Sequence, residues 1–507
     1  MKSLVRFRGG VKLPGFKSLS TKSPIQKTPL PKKLILPLSQ HIGDSAKPVV
    51  RVGDYVYKGQ IIADSSSFVS APIHASSSGK IIEIGPYMIP HQSGIAETCI
   101  VIETDGNDQW HPDIKQCDTP SNLSADQIRK KIKQAGIVGL GGAVFPSSAK
   151  LKPTREIDTL IINGVECEPY ITCDDALMRS RADEIVHGIL LLRRVLNPIE
   201  CVIAIENNKP EAIKAVQSTL ARFKQENIGS VNTIRVVPVP TIFPAGGEKQ
   251  LIKQICNKEV PQHSLPYEVG VVCLNVGTTA AIYDCIYRGR PLISRLVTIT
   301  GEAVNRPANY QVLIGTQVEH VLAAAGGVQA SKVDFIMGGP MMGQVLPDTG
   351  VPVVKATNCL LVKTPEKSKK QPVQLPCIRC GACANACPMQ LLPQQLYWHA
   401  RGKHFEKLNH YNLTDCIECG CCSVVCPSKI PLVHYFRFAK TEMREHEVKS
   451  KFADQSRLRM LARDARLERI KKEQEERKAR RKAEREKKKA ANQKQKQISE
   501  SPKASSG

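Results

Sequence analysis

The segments CIRCGACANACP, residues 377–388, and CIECGCCSVVCP, residues 416–427, share the spacing Cys-x2-Cys-x2-Cys-x3-Cys-Pro. In this two-cluster pattern, three close cysteines hold one [4Fe–4S] cluster and the fourth ligates the other cluster. Zinc sites usually join two CxxC knuckles that lie far apart, so two complete copies ending in Cys-Pro argue against zinc or a disulfide framework. The two runs therefore predict a module that binds two iron–sulfur clusters and transfers single electrons.

The pattern also predicts that each cluster takes its ligands from both runs. The expected quartets are Cys377, Cys380, Cys383 and Cys426 for cluster 1, and Cys416, Cys419, Cys422 and Cys387 for cluster 2. Cys421 is left over, and we interpret it as a small core residue. Because the chain has 18 cysteines and those outside the quartets form no framework, the sequence indicates a reducing compartment.

Length and charge limit the classes of protein that this chain can belong to. Its 507 residues are enough for three or more domains. The first residues, MKSLVRFRGG, lack the apolar region of a secretory signal, and no stretch reaches the roughly 18 apolar residues that a membrane span needs. The net charge is +25, and residues 449–496 hold 20 Lys and Arg against 8 Asp and Glu. We therefore expect a cytoplasmic protein, soluble or peripheral to a membrane, with a basic tail.

The sequence predicts a multidomain fold that combines α/β and α+β parts. Short β-branched runs with Gly-containing turns indicate an all-β domain, whereas alternating helix and strand patterns, such as a helix at 182–196 after a strand at 159–162, indicate a parallel sheet. The predicted segments are an extension, 1–32; a β domain, 33–110; an α/β domain, 120–290; a β-grasp-like block, 291–345; a Lys- and Pro-rich linker, 362–376; a helical ferredoxin-type module, 370–440; and a helical or disordered basic tail, 441–507.

The β domain resembles the barrel-sandwich domains that carry lipoyl or biotinyl groups. The resemblance lies in VGDYVYKGQIIA, residues 52–63, and in the later Ala71-Pro72 followed by Gly79-Lys80-Ile81. Those domains carry a modified lysine on a hairpin tip between the two halves, but the corresponding stretch here, residues 64–70, contains no lysine. A swinging arm is therefore excluded, and we expect a docking or covering module.

Glycine and polar residues collect where predicted strands of the α/β domain end. The segments are GIVGLGGAVFP at 136–146, NGVECEPY at 163–170, FPAGGEK at 243–249 and NVGTT at 275–279. Glycine lets a backbone approach a phosphate closely, and open α/β sheets bind ligands at the carboxyl ends of their strands. Each segment taken alone is also compatible with an ordinary turn or cap, and Glu248 is compatible with a first-turn acid that complements the helix dipole.

Taken together, the motifs resemble the C subunit of the Rnf/Rsx ion-translocating oxidoreductase complex and, more distantly, the flavin- and NADH-binding subunit of respiratory complex I. The resemblance runs from about residue 30 to residue 440. It rests on GLGGAVFPSSAKL, INGVECEPYITCDDALM, FPAGGEKQL, NVGTTAAIY, GGPMMG at 338–343 and the paired cysteine runs. The related protein of complex I has a single cluster, so two runs and a barrel-sandwich front favour the Rnf/Rsx branch.

The resemblance implies noncovalent FMN and NAD(H) as cofactors in addition to the two [4Fe–4S] clusters. It places at the FMN the residues Gly139, Gly141, Gly142, Lys150, Asn163, Glu166, Glu248, Asn275 and Thr278, and at NADH the residues Phe145, by ring stacking, and Glu168, by a ribose hydroxyl. The family pattern has Gly where this chain has Val144, whose β-branched side chain crowds the flavin or demands a different φ. For the region 296–343 the resemblance implies a soluble-ligand-binding β-grasp domain that has a structural role.

These expectations predict an oxidoreductase or translocase subunit with no catalytic acid or base. Flavin links the two-electron chemistry of NADH to the one-electron chemistry of the clusters. The resemblance implies that the partners are the other subunits of the membrane complex, which couple electron flow to Na+ or H+ movement, and that the chain lies at the cytoplasmic face of the bacterial inner membrane. The alternatives are a soluble NADH diaphorase subunit and an electron-relay or docking subunit whose flavin site does not function.

The basic tail allows more than one interpretation. Lys and Arg are attracted to the anionic inner leaflet, so the tail suits a peripheral subunit, although a solvated extension explains the same composition. Nucleic-acid binding is not expected, because aromatic residues are missing after Phe452 and glutamates are interleaved with the basic residues.

Overall fold

The computed structural model describes residues 4–91, 94–117, 119–262, 264–364 and 373–499, with side chains up to residue 496. The chain divides into two units, Met1–Phe436 and Arg437–Gly507, which we describe separately. The middle of the predicted linker, residues 365–372, and the last part of the predicted tail lie outside the described residues.

The first domain is built from short strands because its sequence changes direction at closely spaced turns. Strand β1, Gln26–Lys27, precedes this domain and belongs to another sheet. The strands of the domain are β2 Lys33–Pro37, β3 Lys47–Pro48, β4 Tyr55–Val56, β5 Ile61–Asp64, β6 Ile73–His74, β7 Gly79–Met88 and β8 Ala96–Thr104. Two sheets form, in the orders β2-β8-β7-β4 and β3-β5-β6. Leu34 and Ile100 from the first sheet and Ile62 from the second are fully buried in a common core, which agrees with the predicted β domain.

The second domain contains a parallel sheet in the order β11-β10-β9-β12. Its elements are α1 Ala125–Gln134, α2 Ser147–Lys150, β9 Thr159–Gly164, α3 Cys173–Ser180, α4 Ala182–Leu196, β10 Glu200–Glu206, α5 Pro210–Gln225, β11 Ile234–Val239, α6 Glu248–Cys256, β12 Val271–Asn275 and α7 Val276–Arg288. The middles of the central strands, residues 160–162 of β9 and 201–205 of β10, are apolar because helices cover both faces of the sheet. The α/β prediction is confirmed, and α1 begins with a capping box between Ser124 and Gln127.

The β-grasp domain extends beyond its predicted boundary at residue 345. Its elements are β13 Ser294–Thr300, β14 Ala308–Leu313, α8 Val318–Ala324, β15 Asp334–Met337, β16 Gln344–Val345 and β17 Cys359–Lys363, and the sheet order is β1-β14-β13-β17-β15-β16. The predicted linker start at residue 362 is wrong, because the apolar segment from Cys359 to Val362 is buried between β13 and β15.

The cysteine module is helical, as predicted. It contains α9 Ala382–Ala386, α10 Pro393–Arg401, α11 Phe405–His410, α12 Cys421–Val424 and the start of α13 Leu432–Ser499. The predicted boundary at 440/441 does not coincide with the end of an element, because α13 continues across it. Residues 432–499 contain neither Gly nor Pro, so no helix breaker interrupts them. Among the described residues, no helix is both long enough and apolar enough to cross a bilayer.

Residues 5–27 are not a separate extension, contrary to the prediction for residues 1–32. Backbone hydrogen bonds tie this segment to the domains that follow it, and β1 pairs with β14. The bonds run from Val5 N to Gln254 O (3.1 Å), from Gly10 N to Ala386 O (3.0 Å), from Val11 N to Phe243 O (2.8 Å) and from Tyr170 N to Gly15 O (2.8 Å). We call residues 5–27 the N-terminal strap. Local patterns do not reveal it, because backbone pairing with distant segments leaves no periodicity in the segment itself.

Lys355 links three domains from a fully buried position in the loop before β17. Its Nζ donates hydrogen bonds to Pro72 O of the first domain (2.9 Å) and to Gly136 O of the second (2.8 Å). Burial lowers the pKa of Lys355 to about 7. This ammonium is therefore the polar junction between the three domains.

We expect Lys355→Met to change how stability depends on pH. Between about pH 7 and about pH 10, the unfolded chain binds a proton at Lys355 that the folded chain has released, so the free energy of unfolding of the unmodified chain rises with pH. The difference in slope between the two proteins should approach about 1.4 kcal/mol per pH unit. Urea unfolding followed by Trp110 fluorescence measures this slope. The exposed control Lys47→Met should keep it, and equal slopes for Lys355→Met and the unmodified chain would contradict the assignment.

Candidate redox cofactor sites

The glycine loop, residues 139–142, lies at the N-terminus of α7. The sheet order places β9 beside β12 at the point where the strand order reverses, which is where open α/β sheets bind ligands. Leu140 N donates to Thr278 Oγ1 (2.9 Å). A Cβ at Gly141 would lie 3.4 Å from Asn275 Cβ, whereas a Cβ at Gly142, where φ is +108°, would meet open space. The loop therefore presents exposed backbone next to a helix N-terminus, and this geometry fits a phosphate group.

Two asparagines complete this edge of the sheet, because β9 and β12 both end there. Asn275 Oδ1 accepts hydrogen bonds from Gly277 N (2.8 Å) and Thr278 N (3.4 Å), which caps α7, and its Nδ2 donates to Asp174 Oδ2 (2.7 Å). Asn163 Nδ2 donates to Gly246 O (2.9 Å). The structure thus brings the predicted residues Asn163, Asn275 and Thr278 close to the glycine loop.

Lys150 and Glu248, both predicted to contact FMN, form an ion pair with each other. Lys150 Nζ lies 2.5 Å from Glu248 Oε1 and donates a second hydrogen bond to Cys273 O (3.2 Å). Both side chains are partly exposed. A phosphate that binds Lys150 would compete with Glu248 for the ammonium group, so this pair is a candidate for exchange on ligand binding.

Glu166 is already bonded to groups of the protein. Its carboxylate accepts hydrogen bonds from Asp174 N (2.8 Å) and Asp175 N (3.4 Å) at the start of α3 and lies 3.5 Å from Lys209 Nζ. Burial by itself would raise the pKa of Glu166, but Lys209 and Lys17 together bring it below its ordinary value. The carboxylate thus holds the turn after β9 against α3, and its contact with FMN stays a prediction.

Two polar residues at this site were missed by the sequence analysis. Asp174 bonds to Asn275, and burial together with the Glu166 carboxylate raises the pKa of Asp174 to about 7. Arg295, which is buried in β13, donates to Leu140 O (3.1 Å) and so supports the glycine loop from the β-grasp domain. Asp174 could have been found from the sequence, because it lies within the motif INGVECEPYITCDDALM. Nothing in the sequence connects Arg295 with the glycine loop.

The two residues predicted to contact NADH occupy different surroundings. Glu168 Oε1 accepts hydrogen bonds from Met341 N (2.7 Å) and Met342 N (3.1 Å) in the GGPMMG loop, and burial raises the pKa of Glu168. Gly339 is needed there, because a Cβ would lie 2.0 Å from Glu168 Cγ. Phe145 O accepts from Gly139 N (2.8 Å) and closes the glycine loop. The side chain of Glu168 therefore contacts the β-grasp domain. The NADH roles of both residues stay predictions.

Val144 occupies the backbone region that the family pattern reserves for glycine. Its φ is +42°, which is left-handed and rarely adopted by β-branched residues. Val144 N nevertheless donates to Gly139 O (3.1 Å), so the loop keeps its internal hydrogen bonds. The backbone at Val144 is therefore left-handed, and this conformation is strained for a valine.

Each predicted cysteine quartet surrounds one cavity in the cysteine module. One cavity is lined by Cys387, Cys416, Cys419 and Cys422, and the other is lined by Cys377, Cys380, Cys383 and Cys426. The remaining walls are mainly apolar, including Leu391, Leu396 and Phe436 in the first cavity and Ile430 and Leu432 in the second. Four thiols around a mainly apolar cavity suit an iron–sulfur cluster in donor chemistry. Cys421 lies outside both linings and is buried with Phe243 and Ala386.

Comparison with known protein families agrees with this arrangement. Four family models match: "RnfC Barrel sandwich hybrid domain" at residues 5–107, "Nuo51 FMN-binding domain" at 132–284, "SLBB domain" at 296–345 and "4Fe-4S dicluster domain" at 376–430. The matches confirm the predicted kinds of domain, although the first begins at residue 5 and includes the strap. The chain is thus a multidomain protein of the iron–sulfur and FMN-binding electron-transfer class.

Individual relatives identify the family within this class. The chain is 47% identical over 471 residues to the C subunit of the ion-translocating oxidoreductase complex of Pseudomonas aeruginosa, covering 92% of this chain and 60% of that protein. It is 45% identical over 464 residues to the protein of the same name from Haemophilus influenzae strain PittEE, covering 91% and 70%. The chain belongs to the family of C subunits of the ion-translocating oxidoreductase complex, and the predicted resemblance is confirmed.

Among solved structures, the similarity to this chain is weaker than among the relatives compared by sequence. The NAD+-reducing [NiFe]-hydrogenase in its H2-reduced state matches with 18% identity and a TM-score of 0.48, covering 64% of each chain. A likeness at this level carries no argument about fold or function.

Proposed function

We propose that this chain transfers electrons between NADH and the other subunits of an ion-translocating oxidoreductase complex at the cytoplasmic face of the bacterial inner membrane. The observation that carries the proposal is the presence, within one compact unit, of two four-cysteine cavities and an exposed glycine loop at the switch point of a parallel sheet. FMN supplies the conversion between hydride and single-electron chemistry when it is bound.

The residues of this chain act by binding and positioning. The eight cysteines of the two quartets would hold two [4Fe–4S] clusters as thiolates between mainly apolar walls. The glycine loop and the first turn of α7 hold the flavin phosphate, and Lys150 contributes positive charge. Asn163 and Asn275 fix the strand ends beneath the ligand. Phe145 and Glu168 contribute to the NADH site.

The charge of the second unit favours attachment to an anionic membrane surface. Helix α13 contains most of the 20 basic residues of segment 449–496, and each Lys or Arg near such a surface contributes about 1 kcal/mol. We expect the chain to sediment with vesicles that contain anionic phospholipid and to be released by high salt. Equal sedimentation with neutral vesicles would contradict this attachment.

A second function, an electron relay without flavin, is favoured by the left-handed φ of Val144. We expect Val144→Gly to remove backbone strain of about 1 kcal/mol and to raise the amount of FMN bound per chain. Flavin content after anaerobic purification and urea unfolding measure the two effects. Ala143→Gly, which lies next to it at a position without positive φ, is the matched control.

The anaerobically purified chain distinguishes the two functions. If the chain oxidises NADH, it should show a flavin absorbance band at about 450 nm, and NADH should bleach this band. We expect Glu168→Ala to weaken the response to NADH while both clusters remain. Iron–sulfur absorbance without releasable FMN, in the unmodified chain and in Val144→Gly, would overturn NADH oxidation in favour of the relay.

A further inference from the structure

The two cysteine runs can be compared position by position, because their spacing is identical. Ile378, Cys380 and Gly381 in the first run correspond to Ile417, Cys419 and Gly420 in the second. The two glycines share a left-handed φ, +75° and +82°, so the backbone turns in the same way in both runs. Differences in burial between the two runs therefore come from what surrounds them.

We call Ile417, Cys419 and Gly420 the covered end of the module. Cys419 is 7% exposed and belongs to an apolar cluster with Phe243 of the α/β domain. Ile417 and Met341 of the β-grasp domain both pack against this cluster. A Cβ on Gly420 would lie 3.1 Å from Met341 O. Because the neighbouring Met341 amide binds Glu168, the covered end connects one cysteine cavity with the proposed nucleotide-binding domains.

The corresponding surface of the first run, Ile378, Cys380 and Gly381, is the open end. Ile378 is 67% exposed, Cys380 is exposed, and a Cβ on Gly381 would meet no atom within 4 Å. The open end continues into Leu375, which is 56% exposed and whose N donates to Ser428 O (3.0 Å) on the cavity wall, and into Val373, which is 75% exposed. Exposed apolar side chains therefore lie at and next to the cavity of the Cys377 quartet, on a face that the described residues leave uncovered.

The charges around the open end are basic. Arg379 lines the cavity, and among the described residues no acidic side chain lines it. Arg401 donates to Tyr397 OH (3.2 Å) on the cavity wall and lies 5.8 Å above the ring of Trp398, which is 45% exposed. At the position equivalent to Arg379, the covered end has Glu418. Apolar side chains with two arginines beside them match a partner surface that has an apolar patch and neighbouring carboxylates.

We propose that the open end is the docking surface for a one-electron carrier protein with an acidic face, and that electrons leave the chain through the cavity of the Cys377 quartet. This inference rests on the proposed function. The covered end shows how such a surface is occupied, since there the α/β and β-grasp domains cover the equivalent isoleucine and glycine. In each encounter the chain loses one electron and the partner gains one. No covalent bond changes and no proton moves. A small, salt-sensitive interface is typical of such encounters.

The test uses the full chain reduced with dithionite and then desalted, so NADH is not needed, and the clusters and any bound flavin start reduced. The probes are an acidic and a basic c-type cytochrome of similar potential, whose haem reduction is followed by stopped flow. We expect the acidic cytochrome to react faster and its rate to fall as salt is added. Leu375→Asp and, separately, Val373→Asp should lower this rate at least about fivefold through like-charge repulsion. The control Ile199→Asp replaces an equally exposed apolar residue, 74% exposed in the α/β domain, and should leave the rate unchanged.

Each outcome decides the proposal. Iron content and electron paramagnetic resonance spectra show whether the clusters remain in each variant. Equal rates for Leu375→Asp, Val373→Asp and Ile199→Asp with clusters present would overturn the docking surface and leave the proposed function intact. A dimer in light scattering that Leu375→Asp makes monomeric would also overturn it, because the occupant would be a second copy of this chain. Absence of clusters from every protein would overturn the proposed function and this inference together.

Discussion

Cys387→Ala is expected to remove the same cluster as Cys422→Ala, although the two cysteines belong to different runs. The structure places both in one cavity with Cys416 and Cys419. Loss of one thiolate should release that cluster and lower the iron content from about eight to about four atoms per chain. Iron analysis and electron paramagnetic resonance of the reduced protein measure this, and the two variants should lose the same signal. Cys426→Ala and Cys377→Ala should both lose the other signal, because these residues share the second cavity.

Cys421→Ala is the matched control for these variants. Cys421 lies between two predicted ligands in sequence, but it is buried against Phe243 and lines neither cavity. The Cys421→Ala variant should therefore keep about eight iron atoms per chain and both cluster signals in electron paramagnetic resonance. If Cys387→Ala instead lost the same signal as Cys383→Ala, each cluster would take its four ligands from a single run, and the crossed pairing would be wrong.

Lys209→Met is expected to lower the free energy of unfolding by about 3–5 kcal/mol, because it leaves buried carboxylates without their cation. Lys209 is 4% exposed, and its Nζ lies 3.1 Å from Glu206 Oε2 and 3.5 Å from Glu166 Oε2. It also donates to the backbone oxygen of Glu166 (3.3 Å). Urea unfolding at neutral pH measures the loss. Lys214→Met, on the exposed face of α5, which begins directly after Lys209, should change stability by less than about 0.5 kcal/mol.

The pH dependence of this loss follows from the directions of the pKa shifts. Burial alone would lower the pKa of Lys209, but Glu166 and Glu206 raise it above the ordinary value, so its stabilisation is complete below about pH 10 and is lost as pH rises further. The pKa of Glu166 is lowered, so its stabilisation is present above about pH 5 and is lost as pH falls. The difference between Lys209→Met and the unmodified chain should therefore be greatest from about pH 5 to pH 10. A constant difference down to pH 3 would contradict the ion pairs.

Local patterns predicted the elements that bury a continuous apolar face. The helix Ala182–Leu196 begins and ends where the sequence predicts, because its amphipathic period is strong. The short helix Cys173–Ser180 and the strand Cys359–Lys363 were missed. The first is only eight residues long and offers little periodicity, and the second follows the motif at which the predicted domain ended. Its place between β13 and β15 is a non-local pairing.

The cysteine quartets could be predicted because ligand spacing is a local property of the chain. The contacts of Glu168 could not be predicted, since its bond with the Met341 amide depends on the packing of two domains and joins residues that lie 173 positions apart. The buried network of Lys17, Glu166 and Lys209 is similar, because three distant segments supply its charges. Sequence motifs thus located the candidate site, whereas the partners of its charged groups required the folded chain.

The N-terminal strap has a consequence for synthesis in the cell. Gly10 bonds to Ala386 and Val11 to Phe243, and β1 pairs with β14, so these contacts wait for segments translated much later. At roughly 5–20 residues per second, Ala386 is translated about 20–75 s after Gly10. Throughout that interval the Gly10 amide lacks its final partner on the ribosome. The chain can therefore lock its domains together only after the iron-binding module has been translated, which makes cofactor loading and final closure late, neighbouring events in the maturation of the protein.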